Sequence, residues 1–337
     1  MKILLTGGAG YIGSHTAVSS VEKGHEIIIF DNLSNSYLST ISNITKILNK
    51  DVKFINADLL DFQSLDEAFY RNQIDAVIHF AGYKSVENSV KNPISYYENN
   101  LQSSVNLIKA MDKNNVRRLI FSSSATVYGH PKQLPITEDH NLKPLNPYGL
   151  SKYFVELMLN SLALSNKNWS IISLRYFNPI GSHFSGLLGD KPLGDSNNLI
   201  PKILDVVNNK EKFLTIYGEN FETADGTGIR DYIHIMDIAE GHIYALENLN
   251  RIKGYDVFNM GTGKGYSVFE IIRNIEKVFN LEIPFIVSDK RVGDIASCFA
   301  DVTKAKNILG WHAKRDLKQM CKSIFNFNQV TNNDNKK

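Results

Sequence analysis

TGGAGYIG, residues 6–13, follows the short apolar run KILLT and opens a segment with helical spacing. Gly8, Gly10 and Gly13 form the pattern G-x-G-x-x-G, and Gly7 with the last two forms the related G-x-x-G-x-x-G. Glycines at these positions let backbone N–H groups approach a pyrophosphate at the start of a helix. The motif therefore predicts a dinucleotide site. A glycine-rich turn of purely structural use is the plain alternative, and the surrounding sequence argues against it.

The next apolar run, EIIIF, is followed directly by Asp31, the acidic residue that such a motif carries about 20 positions on. A carboxylate at this point accepts hydrogen bonds from the adenosine ribose and repels a 2′-phosphate. The sequence therefore predicts NAD rather than NADP. Asp58 and the turn at residues 80–84 follow later strands and belong near the same cofactor. Taken singly, Asp58 is equally well a helix cap.

Apolar runs of strand length alternate with segments of helical periodicity. The strand runs are KILLT, EIIIF, VKFINA, AVIHFA, RLIFSS and SIISLRYF. The helical candidates are residues 11–22, 63–71, 95–113, 148–164, 200–209, 236–249 and 268–279. This βαβ order, with buried strands between the helices, predicts an α/β fold with a doubly wound parallel (Rossmann) sheet that is covered on both faces.

After about residue 178 the pattern loosens into loops rich in Gly, Asn and Asp before shorter strand and helix signals return. We expect an NAD-binding domain at residues 1–178, to which later segments can return, and a smaller α/β domain at residues 179–327. Residues 328–337 read as a polar tail that frays.

The composition excludes several classes of protein. The net charge of +2, with 43% hydrophobic and 21% charged residues, predicts neither a nucleic-acid partner nor an anionic membrane surface. Only two cysteines are present, and the apolar N-terminus is too short for a signal sequence, so we expect a cytoplasmic protein without a disulfide framework. The nine histidines show no metal-ligand spacing, and we expect no metal site.

The stretch NPYGLSK places Tyr148 and Lys152 four positions apart on one predicted helix face, and Ser124 directly follows the predicted strand RLIFSS. A free tyrosine has a pKa of about 10, but a nearby ammonium and a cationic nicotinamide both favour the phenolate. Tyr148 would then serve as a general base. In isolation such a pair is more often a solvated helix face; the nucleotide motif and the strand-end serine favour chemistry.

These motifs are similar to those of the extended short-chain dehydrogenase/reductases. More narrowly, DNLSNS, IHFAGYKSV, FSSSATVYG, LRYFNPIG and DGTGIRDYIHIMDIA resemble the UDP-glucose (UDP-galactose) 4-epimerase family, from residue 1 to about residue 325. The resemblance implies a Rossmann domain with tightly held NAD, a smaller domain that binds the UDP-sugar, and a homodimer.

The resemblance also implies a reaction, the reversible C4 epimerisation of UDP-hexoses through a 4-keto sugar. Tyr148 would take the proton of the sugar 4-hydroxyl while hydride passes from C4 to NAD. Ser124 would hydrogen-bond that oxygen, and Lys152 would hold the nicotinamide ribose and lower the Tyr148 pKa. The nucleotide must be held firmly and the hexose loosely, because both faces of the ring have to be presented.

Two sets of binding residues are carried over from the family. The cofactor-binding positions are Gly7, Gly10, Tyr11, Ile12, Gly13, Asp31, Asn32, Asn35, Ser36, Asp58, Leu59, Phe80, Ala81, Gly82, Lys84, Asn99, Ser124, Tyr148, Lys152 and Phe177. The substrate-binding positions are Ser124, Tyr148, Asn178, Asn198, Leu199, Thr215, Tyr217, Arg230, Arg291, Asp294 and Cys298. Arg230 and Arg291 suit a diphosphate through fork-shaped, charge-assisted hydrogen bonds.

Two other functions remain as alternatives. NDP-hexose 4,6-dehydratases share the fold and cofactor, but that family carries an Asp-Glu pair where Ala125 and Thr126 stand here, and alanine cannot donate a proton to a leaving hydroxyl. A non-catalytic NAD-binding sensor would have little need of the Ser124, Tyr148 and Lys152 set.

Substrate range is a separate question. Cys298 falls where the family places a sugar-pocket residue that is tyrosine in enzymes restricted to glucose and galactose and smaller where N-acetylated sugars are accepted. We therefore expect conversion of UDP-GlcNAc and UDP-GalNAc as well. The alternative is that Cys298 simply packs as a small hydrophobic residue.

Overall fold

The structure is a computed structural model and describes residues 1–194, 198–291 and 293–334. Strands and helices are numbered along the chain. The largest sheet contains β1 (Lys2–Thr6), β2 (Glu26–Asp31), β3 (Lys53–Asn56), β4 (Ala76–His79), β5 (Arg118–Ser124), β6 (Ser170–Tyr176) and β10 (Gly254–Met260). Its strand order is β10-β6-β5-β4-β1-β2-β3, and every neighbouring pair is parallel. The order reverses beside β1, so the predicted doubly wound Rossmann sheet is confirmed.

The helices are α1 (Tyr11–Glu22), α2 (Leu38–Leu48), α3 (Phe62–Asn72), α4 (Val86–Lys91), α5 (Pro93–Tyr97), α6 (Ser103–Lys113), α7 (Pro147–Ser165), α8 (Leu199–Val207), α9 (Ile235–Asn248), α10 (Val268–Phe279) and α11 (Leu317–Asp334). A π-helical turn at Glu98–Gln102 joins α5 to α6. The sequence missed α2, α4 and α11. None of the helices in the described part of the chain combines the length and apolarity that a membrane crossing requires.

Two hydrophobic cores cover the two faces of the large sheet. Along β1, Ile3 and Leu5 lie in the core with α1, α2 and α9, whereas Leu4 lies in the core with α3, α6 and α7. Successive residues of a strand point to opposite faces, so a strand buried on both sides must be apolar throughout. This is why the strand runs were readable in the sequence.

A smaller unit forms the rest of the molecule. It contains β7 (Asn178–Ile180), β8 (Leu214–Tyr217), β9 (Ile229–His234), β11 (Gly265–Ser267), β12 (Phe285–Ser288) and β13 (Ser297–Cys298). β9 pairs with β7, β11 and β13, while β8 pairs with β12. The apolar sides of α8, α10 and α11 share a core with these strands.

The chain crosses between the two units more than once. After β9 it returns to the large unit, where α9 packs against α1 and β10 pairs with β6, before it enters the smaller unit again. α11 continues to Asp334, into the segment predicted as a polar tail, and residues 335–337 lie outside the described residues.

Candidate active site

A cleft of about 2220 Å³ follows the carboxyl ends of the strands of the large sheet and continues into the smaller unit. Every residue that the sequence predicts for cofactor or substrate binding lines this cleft, from Gly7 to Cys298. Ligands of doubly wound proteins bind at the carboxyl ends of the strands, in the crevice where the strand order reverses, which here is between β1 and β4.

The glycine-rich turn lies at one end of the cleft, between β1 and α1. Gly7 has a φ of +71°, and a Cβ on it would lie 2.5 Å from the backbone nitrogen of Ala81. A Cβ on Gly13 would lie 2.4 Å from the carbonyl oxygen of Gly7. Gly10 differs, since its Cβ would come no closer than 3.3 Å to Gly7 O. The close backbone contacts of the turn therefore leave no room for a side chain at residues 7 and 13. At Gly10 a side chain would meet less of the protein, and its absence leaves space for a ligand at the start of α1.

Asp31 ends β2 beside this turn and is held from three sides. Its carboxylate accepts hydrogen bonds from the backbone nitrogens of Ala9 (3.0 Å) and Leu33 (2.9 Å) and from the Ser36 hydroxyl (3.0 Å). A few residues away, the Asn32 amide donates to Asp58 at 2.8 Å. These contacts fix acceptor oxygens next to the first turn of α1, whose N–H groups have no acceptor within the helix. A bare glycine turn, free N–H groups and an oriented carboxylate together fit NAD.

The proposed catalytic residues come from β5 and α7. Pro147 starts α7, and the Asn146 side chain accepts a hydrogen bond from Gly149 N at 2.8 Å, which fixes the first turn that carries Tyr148. Lys152 lies one turn later. Its ammonium donates to Ser122 O at 2.8 Å and lies 4.9 Å from the Phe121 ring centre. The helix start therefore places both side chains against the end of β5.

Ser124 caps the short turn that follows β5. Its hydroxyl oxygen accepts hydrogen bonds from the backbone nitrogen of Thr126 at 3.2 Å and from the Thr126 hydroxyl at 2.9 Å. With both lone pairs used, the Ser124 proton is available to a partner on the cleft side. Thr126, which the sequence did not assign, thus orients Ser124; its two-residue spacing from a strand-end serine is the signal that could have identified it.

The electrostatics of this corner differ from the sequence-based expectation. Burial raises the pKa of Tyr148, the Ser124 hydroxyl lowers it in part, and Tyr96 raises it again. Burial lowers the pKa of Lys152 to about 8, against an opposing effect of Glu156. In the protein without bound NAD, Lys152 therefore does not lower the Tyr148 pKa as expected from the sequence. Desolvation dominates the pKa of both groups.

Lys84 and Asn99 both have protein partners in the cleft. The Lys84 ammonium lies 3.6 Å from a carboxylate oxygen of Asp190, a residue of the loop after β7. Asn99, on the π-helical turn, donates to the side chain of Asn100 at 3.1 Å. Asp190 could not be identified from the sequence, because a pair separated by more than a hundred positions leaves no local pattern.

The far end of the cleft carries the charged residues of the smaller unit. The Arg291 guanidinium lies 4.9 Å from the Tyr217 ring centre and donates from Nε to Asp294 at 3.2 Å. Arg230, on β9, donates to Ile229 O at 2.8 Å and lies in register with Cys298 on β13. Cys298 is buried, and burial raises the pKa of its thiol to about 11, so it is a neutral side chain here.

The comparisons with known proteins agree with this geometry. The sequence profile of the NAD dependent epimerase/dehydratase family matches residues 3–261. The UDP-glucose 4-epimerase of Bacillus subtilis is 50% identical over 321 residues, which cover 95% of both chains.

Solved structures give the same result. The UDP-glucose 4-epimerase of Bifidobacterium longum, in complex with NAD⁺ and UDP, superposes with a TM-score of 0.96, 44% identity and 99% coverage of both chains. The UDP-Glc/GlcNAc 4-epimerase of Campylobacter jejuni gives a TM-score of 0.85 at 37% identity, over 98% of this chain and 99% of that one. The chain therefore belongs to the NAD dependent epimerase/dehydratase family and, within it, to the UDP-glucose 4-epimerases.

Proposed function

We propose that the protein interconverts UDP-glucose and UDP-galactose by inverting carbon 4 of the sugar, with NAD as its cofactor. The observation that carries this proposal is the position of Ser124, Tyr148 and Lys152. They lie in a cleft that has the glycine-rich turn at one end and the two arginines of the smaller unit at the other. A hexose whose nucleotide reaches the arginines would lie beside these three side chains.

The residues divide the chemistry between them. When bound, NAD supplies the hydride acceptor and donor for carbon 4. Tyr148 removes and returns the proton of the 4-hydroxyl, and Ser124 donates a hydrogen bond to that oxygen. Lys152 would hold the nicotinamide ribose by donating a hydrogen bond to it. Because burial raises the Tyr148 pKa, a positive charge beside the phenol, from Lys152 or from the bound nicotinamide, would be needed for the phenolate to form near neutral pH.

Recognition of the substrate is concentrated at the nucleotide. Arg230 and Arg291 offer fork-shaped donors to a diphosphate. Tyr217 lies against Arg291 at the end of β8, and Thr215 is on the same strand and also lines the cleft. The contacts proposed for the hexose are fewer and uncharged, namely Ser124, Tyr148, Asn178 and Cys298. This division leaves the sugar free to present either face.

The test is to incubate the purified protein, without added NAD, with UDP-galactose and to separate the nucleotide sugars by chromatography. We expect conversion to UDP-glucose by cofactor that remains bound through purification. An absence of conversion, with NAD added as well as without it, would contradict the proposal and favour a binding protein.

We also propose that the pocket accepts N-acetylated sugars. Cys298 is a small, neutral side chain that lines the cleft near Phe177 and Ala125, and it leaves space that a larger residue would fill. The relative from Campylobacter jejuni is described as a UDP-Glc/GlcNAc 4-epimerase.

Replacing Cys298 with tyrosine is expected to remove activity on UDP-N-acetylgalactosamine, because the larger side chain fills the space for the acetamido group. Activity on UDP-galactose is expected to stay within about tenfold of wild type, since small changes of pocket volume alter kcat/KM by about that factor. The measurement is kcat/KM for both substrates. Cys298→Ala keeps the space and is the matched control, which should retain both activities. Equal losses on the two substrates in the tyrosine variant would refute the pocket argument.

We infer that two copies associate through helices of the large unit. α4 and α5 pack against α7, and several apolar side chains on these helices face water: Val90 is 63% exposed, Ile94 64% and Leu157 44%. Such a patch favours a protein partner, and association of identical chains would bury it.

The expected mass in solution is about twice 38.0 kDa. Light scattering after size-exclusion chromatography measures it. Leu157→Arg should shift the protein toward the monomer, and Tyr70→Arg, an exposed residue on α3, is the matched control. A wild-type mass of one chain at micromolar concentration would disprove the dimer.

Both cysteines are free and buried, and we infer a reducing, cytoplasmic location.

A further inference from the structure

Behind the catalytic corner lies a buried ion pair that the proposed reaction does not use. Glu156 is on α7, one turn beyond Lys152, and Arg175 is on β6; each side chain is 4% exposed. The guanidinium donates from Nε to one carboxylate oxygen at 3.0 Å and from a terminal nitrogen to the other at 2.6 Å. Two parallel charge-assisted hydrogen bonds of this kind fix both orientation and distance.

The pair also reaches the strand that carries Ser124. The Ser123 hydroxyl donates to Glu156 at 2.5 Å. The other terminal nitrogen of Arg175 donates to the Tyr128 hydroxyl at 3.0 Å, and Tyr128 in turn donates to the Asn259 side chain at 2.6 Å. Glu156 is therefore the point at which α7, β5 and β6 are joined by polar contacts directly beneath the catalytic residues.

Glu156 has a second relation to the site, through charge. Lys152 and Glu156 are four positions apart on α7, so their side chains lie on one helix face. The negative charge of Glu156 raises the pKa of Lys152 against the effect of burial. Lys152 also acts on His79 of β4, a neutral histidine held between Thr6 and Ser104. The titratable groups that face Glu156 from other elements are Arg175, Tyr128 and Tyr255.

We propose that Glu156 is a positioning residue for the reaction, which holds α7 against the ends of β5 and β6 and keeps the Lys152 ammonium charged in its buried position. This inference rests on the proposed function for its kinetic test, because it acts through Lys152 and Tyr148. The Glu156–Arg175 ion pair thereby has a role in setting the pH range of the enzyme.

The sign of the pH effect follows from the role of Lys152. The active form has Lys152 protonated, so kcat falls on the basic side as pH rises through the Lys152 pKa. Loss of the Glu156 charge leaves burial acting on Lys152 without opposition, and burial favours the neutral amine. In Glu156→Gln the basic limb of the kcat profile should move down by about one pH unit or more.

The experiment compares kcat and KM against pH for wild type, Glu156→Gln and Glu156→Asp. Aspartate keeps the charge, so its basic limb should remain near that of wild type even if kcat falls. Asp66→Asn removes the same charge from the surface pair with Lys113 and is the matched control, with no expected change. KM for the UDP-sugar should be unchanged in all variants, because the nucleotide is bound at the other end of the cleft.

Two further measurements keep the outcome decisive. If Glu156→Gln does not fold, the double variant Glu156→Gln/Arg175→Met removes both charges and should show the same downward shift. Competitive acetylation of Lys152, followed by peptide mass spectrometry, reports the Lys152 pKa without requiring turnover.

A basic limb and a Lys152 labelling profile that are unmoved in the folded variants would overturn the proposal, and a uniform loss of kcat at every pH would show a purely structural pair. An inactive wild type, together with a shifted Lys152 labelling profile in Glu156→Gln, would instead refute the proposed function and leave standing only the effect of Glu156 on the charge of Lys152.

Discussion

Tyr148→Phe is expected to lower kcat by about a thousandfold, the usual contribution of a positioned general acid–base group. Phenylalanine keeps the ring that packs at the start of α7 and removes only the hydroxyl beside Ser124. The bound NAD content and the Kd for UDP should be unchanged, because neither depends on the phenol. The measurements are kcat with UDP-galactose, cofactor content by absorbance, and UDP affinity by calorimetry.

Tyr153→Phe is the matched control for this variant. Tyr153 lies on the same helix but is absent from the residues that line the cleft, and packs with the cluster around Val127 and Phe177. Its hydroxyl should be dispensable, with kcat within about twofold of wild type. Substitutions that remove no buried contact, cap or catalytic group usually have small effects on a protein. Near-normal turnover by Tyr148→Phe would refute the assigned role of Tyr148.

Gly13→Ala is expected to abolish NAD retention and to lower stability. The added Cβ would lie 2.4 Å from Gly7 O and 2.7 Å from Gly8 Cα, closer than atoms of a relaxed backbone approach, so the turn must move. Forcing a methyl group into a packed site costs about 1–3 kcal/mol. The thermal midpoint and the NAD content of the purified protein measure the two effects.

Gly10→Ala separates cofactor binding from stability in the same turn. Its Cβ would be 3.3 Å from Gly7 O, a distance that a small adjustment can absorb, but it would occupy the space at the start of α1. We expect a thermal midpoint near that of wild type together with weakened NAD binding.

Full retention of NAD by Gly13→Ala would show that the turn does not hold the cofactor.

The sequence predicted the main features of the fold because those features are local. Six strands of the large sheet contain short apolar runs that the sequence shows directly. The glycine-rich turn at residues 6–13 marks the first of these strands. The same reasoning missed α2, whose many Ser, Thr and Asn residues read as loop, although Ile41, Ile44 and Ile47 recur at helical spacing. It also did not place β10, because pairing between β10 and β6 is a long-range contact with no local signature.

The residues that line the candidate site could be predicted from the sequence, but their hydrogen bonds and pKa shifts could not. The residues named from motifs and resemblance all line one cleft. The hydrogen bond from Lys152 to Ser122 O and the dominance of burial in the Tyr148 pKa depend on packing that the sequence pattern does not encode. The partners Asp190 of Lys84 and Arg175 of Glu156 are likewise contacts between separate elements.

The return of the chain to the large unit after β9 bears on how such a protein can be recombined. A crossover after residue 178 would exchange more than the smaller unit, because α9, which packs on α1, and β10, the edge strand beside β6, lie beyond that point. A chimaera made there would join two parents inside one sheet. Shuffling of nucleotide-sugar specificity between relatives would have to proceed through short segments, such as the strand Ser297–Cys298, rather than through whole halves.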